Sequence, residues 1–145
     1  NKEIGKAAKL NYFDINKGDI YSFKRKISKQ DAMNFAKLSG DFNPLHIDHD
    51  FGKKSQFRSN IVHGMLAASL FSALIGMHCP GEKSLYLSQT LNFRHAVYHD
   101  DTVIVKGTVI SKNAGIKVII IKTEILKDGK IAVDGEAKVR VLEHL

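Results

Sequence analysis

Asp41 and His46 lie five residues apart, with Pro44 between them. On a helix that spacing would turn the two side chains away from each other. Pro44 disfavours a regular helix and pushes Asn43 towards an extended conformation. The pair is therefore expected on a bent loop, with both side chains directed into one small space. A carboxylate and an imidazole facing the same space can hold a water molecule and move its protons. The same residue types also serve structure alone, Asp41 capping a turn and His46 being a satisfied buried histidine.

A second feature lies downstream. His63-Gly64 opens a run that is apolar on nearly every side, from His63 to Met77. The first N–H groups of a helix have no internal partner, and the helix dipole makes that end electropositive. Glycine lets a ligand approach the backbone, so Gly64 can donate its N–H to a developing oxyanion. The alternative is a glycine needed only for packing. His46, Asp48, His49 and Asp50 raise the question of a metal. Their HxDHD spacing matches no ligand pattern and mixes hard with borderline donors, so no metal is expected. Cys79, the one cysteine, has no activating motif nearby and reads as a structural thiol.

The elements that must position these residues can be read in order. Residues 1–19 form a Lys-rich lead-in ending in the turn chemistry of Lys17-Gly18-Asp19. From Ile20 to Ile27 apolar and polar residues alternate as in a half-exposed strand. Ser28 with Asp31 is a near capping box, and Ala32, Phe35 and Ala36 continue an amphipathic helix to about Leu38. Ser39-Gly40 stops it. Asp48 begins a further short helical turn, weakened by Gly52. The apolar run predicts one helix buried on all sides. After Pro80-Gly81 the chain reads as strands: Leu85–Phe93, Thr102–Ser111, Ile116–Leu126 and a last one to Val141. The turns between them are His99-Asp100-Asp101, Asn113-Ala114-Gly115 and the hairpin signal Asp128-Gly129. About five strands joined by tight turns imply an antiparallel sheet. A helix buried all round needs that sheet curved around it, in an α+β fold.

At 145 residues, 43% hydrophobic and 26% charged, the chain fits one globular domain with a real core. The expected core runs over about residues 20–142. The net charge of +7 favours an anionic partner, but the basic residues are spread along the chain. No nucleic-acid motif is present and no aromatics interleave with the basic residues, so no nucleic acid is expected. No apolar run approaches the ~18 residues a membrane span needs. The lone cysteine and the lack of a visible signal peptide favour a reducing, cytoplasmic location. The chain begins at Asn1, which leaves room for a preceding segment or domain. The ending Leu142-Glu143-His144-Leu145 carries no functional reading.

Asp41-Phe42-Asn43-Pro44-Leu45-His46-Ile47-Asp48, followed by Ile61-Val62-His63-Gly64-Met65, resembles the signature of the MaoC-like, (R)-specific enoyl-CoA hydratases. The similarity runs on through Leu70-Phe71-Ser72-Ala73-Leu74, Pro80-Gly81, Tyr86-Leu87-Ser88-Gln89 and Asn92-Phe93, over roughly residues 12–141. The GHFP-like histidine segment and helix glutamate typical of the acyl-carrier-protein dehydratases are absent. The resemblance implies a single hot-dog domain, a long central helix wrapped by an antiparallel sheet, usually as a homodimer. It implies Asp41 and His46 as the catalytic pair and Gly64 as the oxyanion donor. Ser72 is implied as a support of the site, with Asn43, Gly64 and Phe93 near the substrate. The implied substrate is an acyl-CoA or acyl-carrier-protein thioester, with no metal or nucleotide cofactor. The expected reaction is reversible hydration of a trans-2-enoyl thioester, Asp41 acting as base and His46 as water holder and proton donor. A 3-hydroxyacyl-acyl-carrier-protein dehydratase, a hot-dog thioesterase and a non-catalytic thioester-binding domain are the alternatives.

Overall fold

The computed structural model describes residues 5–144; residues 1–4, at the start of the expected lead-in, and Leu145 lie outside the described residues. The elements run β1 (Ile20–Lys26), α1 (Lys29–Ser39), α2 (Pro44–Ile47), α3 (His49–Lys54), α4 (Gly64–Ala73), β2 (Ser84–Gln89), β3 (Asn92–Phe93), β4 (Thr102–Asn113), β5 (Val118–Lys127) and β6 (Lys130–Val141). The strands form one open antiparallel sheet in the order β1-β4-β5-β6-β2, with β3 also paired to β6. This is the hot-dog arrangement.

Local chemistry accounts for most boundaries. The Ser28 hydroxyl accepts from the Asp31 N–H, and the Asp31 carboxylate accepts from the Ser28 N–H, so the capping box is complete. Gly40 ends α1 in the left-handed region at φ 81, which glycine adopts without a Cβ penalty. Asp128 and Gly129 both have positive φ, 49 and 76, and Lys127 pairs with Lys130. That is the two-residue turn whose twist matches a hairpin.

The expected strand Leu85–Phe93 is broken into β2 and β3. The chain there crosses close over β6, so close that a β-carbon on Gly135 would fall 1.8 Å from the Thr90 carbonyl oxygen. Thr90 uses its N–H and its hydroxyl on Glu136 at this crossing.

Along β4, Val103, Val105 and Val109 are buried at alternate positions and face the helix. Phe71 and Leu74 pack among them with Ile125 and Val133. Gly107 lies in the same row, where a β-carbon would meet Leu74 Cδ2 at 2.9 Å. The sheet therefore takes the helix closely.

Three expectations need correction. The apolar run is not buried on all sides: Ala67, Ala68, Phe71, Leu74 and Ile75 are buried, but Met65 is 56% exposed and Ser69 and Ser72 are exposed beside it. One sheet covers one side of a helix, and among the described residues nothing covers the other. The run is α-helical only to Ala73 and then widens into a π turn, Leu74–His78. Finally, the core begins before residue 20. Tyr12 and Ile15 are buried with Ile75, Cys79 and Val139, and the lead-in is tied down by Ala8 N–H to the Met77 carbonyl and Leu10 N–H to the Pro80 carbonyl.

Candidate active site

The Asp41–His46 segment is bent by its own side chains. The Asp41 N–H donates to the Ser39 hydroxyl at 3.1 Å. Asp41 Oδ1 accepts from the Asn43 N–H, and Asn43 Oδ1 accepts from the Leu45 N–H, each at 3.1 Å. Such two-residue reaches are what Asp and Asn make in turns. Pro44 does not keep the segment irregular, as its ring suggested. It is the first residue of α2, where its missing N–H costs nothing. His46 therefore stands on a short helical turn, and Asn43, extended as expected (ψ 124), is its cap.

The segment is held from behind by residues 60–63. Asn60 is 6% exposed, and its amide reaches the carbonyls of Leu45 at 2.9 Å and Asp48 at 2.8 Å. Gly52 makes room for it, because a β-carbon there would sit 2.5 Å from Asn60 Nδ2. His46 Nδ1 lies 2.9 Å from the Ile61 carbonyl oxygen. A carbonyl only accepts, so Nδ1 carries the hydrogen, and in the neutral ring Nε2 offers a lone pair. His63, 2% exposed, stacks on His46 with ring centroids 4.0 Å apart. His63 Nε2 donates to the Asp41 carbonyl oxygen at 3.0 Å. Burial, more than any other influence, lowers the tendency of His63 to protonate; the neighbouring His46 and His99 add to this, and the bond to Asp41 opposes it.

Asp41 and His46 thus come together as expected, and His63 joins them: each offers a ligand-type atom, all within 4.8 Å of one another. Those three residues are where a metal ion would be sought. The two imidazole rings are stacked, tilted only 29° from each other.

Gly64 follows His63 as the first residue of α4, so its N–H has no partner inside the helix. Phe93 covers it: a β-carbon on Gly64 would lie 2.7 Å from Phe93 Cδ1. A cavity of about 260 Å³ opens beside them, lined by Phe57, Ile61, Ala67 and Arg94 among others. Ser72 is not brought to this group. It lies eight residues further along the helix, about 12 Å at the helical rise. There it lines a separate groove of about 350 Å³ with Phe35, Met65, Ser69, Tyr86 and Leu91. Asn43 uses its oxygen as a cap, which leaves only its amide nitrogen for any ligand. Burial pushes the Cys79 thiol up to about 11, consistent with a structural role.

Sequence reading gave no role to Asn60 or His63. The H-G-M triplet contained a signal for His63; Asn60 had none.

A MaoC like domain model matches residues 15–131. The chain is 38% identical to an (R)-specific enoyl-CoA hydratase of Rhodospirillum rubrum over 133 residues, 91% of this chain and 92% of that protein. It is also 38% identical to a mitochondrial 3-hydroxyacyl-[acyl-carrier-protein] dehydratase of Solanum lycopersicum over 124 residues, 83% of this chain and 73% of that protein. Among solved structures, the unliganded R-hydratase PhaJ1 from Pseudomonas aeruginosa superposes with a TM-score of 0.91 at 33% identity, covering 95% of this chain and 89% of that one.

The contact between Gly64 and Phe93 separates two reasons for the glycine. If Gly64 serves only to admit the Phe93 ring, Gly64→Ala loses stability and Phe93→Ala restores it. If the Gly64 backbone must meet a substrate oxygen, Gly64→Ala lowers turnover by about 10²-fold, the scale of a lost oxyanion donor. The Gly64→Ala/Phe93→Ala double variant then stays impaired. Melting temperature and turnover on an enoyl-CoA, measured on the three variants, check this. With its fold, its paired acid and histidine and these relatives, the chain belongs to the MaoC-like domain family.

Proposed function

We propose that this protein is an (R)-specific enoyl-CoA hydratase, adding water reversibly to a trans-2-enoyl thioester to give the (R)-3-hydroxyacyl thioester. The observation that carries the reading is the meeting of the Asp41 carboxylate and the His46 ring beside a helix start whose first N–H, on Gly64, has no partner in the helix. The thioester oxygen accepts from that N–H, which draws charge out of the double bond. A water held by the lone pair of His46 Nε2 and by Asp41 attacks the β-carbon. Asp41 takes one proton from the water as the new C–O bond forms. The electron pair of the double bond passes to the α-carbon and the thioester, and Asp41 returns the proton to the α-carbon on the same face. Neutral His46 has no hydrogen at Nε2 to give, so the geometry favours it as water holder rather than proton donor. Phe93 and the Asn43 amide nitrogen contact the substrate, and Ser72 serves the acyl side.

The net reaction only adds the atoms of water, and Asp41, His46 and the Gly64 N–H supply the acid–base and oxyanion groups it uses, so the proposed chemistry calls for no metal or nucleotide cofactor. The acyl-carrier-protein dehydratase reading remains the second one, because a relative of equal identity bears that name. The net charge of +7 suits the phosphates of CoA and an acidic carrier alike. No helix among the described residues is long and apolar enough to cross a membrane, and the proposed location is the cytoplasm. The proposed assembly is a homodimer. The outer edge of β2 is unpaired among the described strands, Leu85 and Leu87 on it are exposed, and so is Met65. Sheet edges of this kind are usually covered or paired.

Incubation with crotonyl-CoA tests the chemistry. Enoyl absorbance lost without release of free thiol supports a hydratase; free thiol means a thioesterase instead. Asp41→Asn and His46→Gln each lower turnover by at least ~10²-fold, the scale of a positioned acid–base group, and leave the fold intact. A variant with near wild-type turnover would show that the pair is misassigned. Light scattering at micromolar concentration gives a dimer mass; a fully active monomer would remove the dimer.

A further inference from the structure

His63 neither takes nor gives a proton in the reaction proposed above, yet it is a buried polar side chain tied directly to the site. Its Nε2–H donates to the Asp41 carbonyl oxygen at 3.0 Å. One face of its ring lies against His46 at 4.0 Å. The edge-to-face contact with Phe35, at 4.9 Å between centroids, ties it to α1. Its other nitrogen, Nδ1, is buried with no hydrogen-bond partner among the described residues.

An orphaned buried nitrogen is costly when it carries a hydrogen and least costly as a bare lone pair on a neutral ring. The tautomer with hydrogen on Nε2 is therefore required on both sides of the ring. The titratable groups around it are Asp41, His46 and His99. Burial opposes a positive charge on His63 most strongly, and His46 and His99 add to this, while Asp41 favours it through its carbonyl and its carboxylate charge; the balance lowers the tendency of His63 to protonate.

Three neighbouring residues thus grip one loop at successive points. Asn60 holds the carbonyls of Leu45 and Asp48, the Ile61 carbonyl holds the His46 ring, and His63 holds the backbone of Asp41. Of these three, His63 alone touches both members of the pair, and it does so from the residue immediately before Gly64.

We propose that His63 is a positioning residue for this site: its Nε2–H fixes the backbone from which the Asp41 carboxylate projects, and its ring face sets the plane of His46. This rests on the reading of Asp41 and His46 as the reacting pair. A histidine that merely fills the core would affect stability and leave turnover per folded molecule unchanged. A positioning residue affects turnover with little change in substrate affinity, because misplacing reacting groups by ~1 Å costs about 10²-fold.

The test uses two variants of the whole chain. His63→Phe keeps a flat ring against His46 and removes the donor. His63→Gln keeps an N–H that can reach the Asp41 carbonyl. With crotonyl-CoA, His63→Phe is expected to lower kcat by about 10- to 100-fold with KM within about threefold, and His63→Gln to recover most of that loss. Wild-type kcat in folded His63→Phe, or no recovery in His63→Gln, overturns the proposal.

Nitrogen NMR of the wild-type protein labelled at histidine gives a readout independent of folding of the variants and of activity. At the ordinary imidazole midpoint of about pH 6.5, His63 is expected to be mainly neutral with hydrogen on Nε2. An Nδ1–H tautomer, or a mainly protonated ring, overturns the proposal. The outcomes also separate from the function itself. An inactive wild type, or an active Asp41→Asn, sinks the hydratase reading. Normal turnover in His63→Phe alongside an inactive Asp41→Asn sinks the positioning role alone.

Discussion

Buried polar groups must find partners, and in this chain that requirement joins a loop to a helix. Asn60 and His63 are buried side chains whose hydrogens need acceptors. The acceptors within reach are backbone carbonyls of the segment carrying Asp41 and His46. Leaving such a donor unpaired costs about 1–3 kcal/mol, so the two segments are held in one register. The bend that shapes the loop, built from the Asp41 and Asn43 side chains, is local and exposed. The grip that places it against Gly64 is long-range and buried. A site on a loop gains the accuracy of a rigid element in this way.

The sheet contributes stiffness at one remove. Val103 and Val105 share a buried cluster with Ala67, Ala68 and Phe71 of α4, and Gly107 lets Leu74, just past the end of α4, settle against the sheet. α4 is thereby held on the sheet, with His63 and Gly64 at its start. The far side of α4 has no such support among the described residues. Met65, Ser69 and Ser72 remain open there, beside an apolar groove with Phe35 and Leu91. The chemistry at the helix start and the open face along its length are two ends of one element.

Much of this was legible from residues close together in sequence. The Ser28–Asp31 box, the Gly40 stop and the Asp128-Gly129 hairpin each depend on a few neighbouring residues, and each formed as read. Asp41 and His46 were legible as a pair, though for another reason than the one Pro44 suggests: Pro44 opens α2, and Asp41 stands before that helix, so helical spacing does not part the two. The remainder depended on segments distant in the chain. The carbonyls that Asn60 holds lie 12 and 15 residues before it, and nothing in its neighbours points to them. Phe93 lies over Gly64 because β3 pairs with β6, a matter of topology. In the apolar run Ser69 and Ser72 marked the open face, but two serines are too weak a stripe to show which side a sheet will cover. Tyr12 and Ile15 stood in a Lys-rich segment without periodicity, so their burial could not be inferred.

If Asp41 and His46 add water to one face of an enoyl thioester held at Gly64, the product carries a single configuration. Crotonyl-CoA is converted by the wild-type protein, the thioester is hydrolysed chemically, and the 3-hydroxybutyrate is resolved on a chiral column. The (R) enantiomer alone is expected, formed at least ~10²-fold more slowly by Asp41→Asn. An (S) product, a racemic product, or (R) product formed as fast by Asp41→Asn would rule out this arrangement.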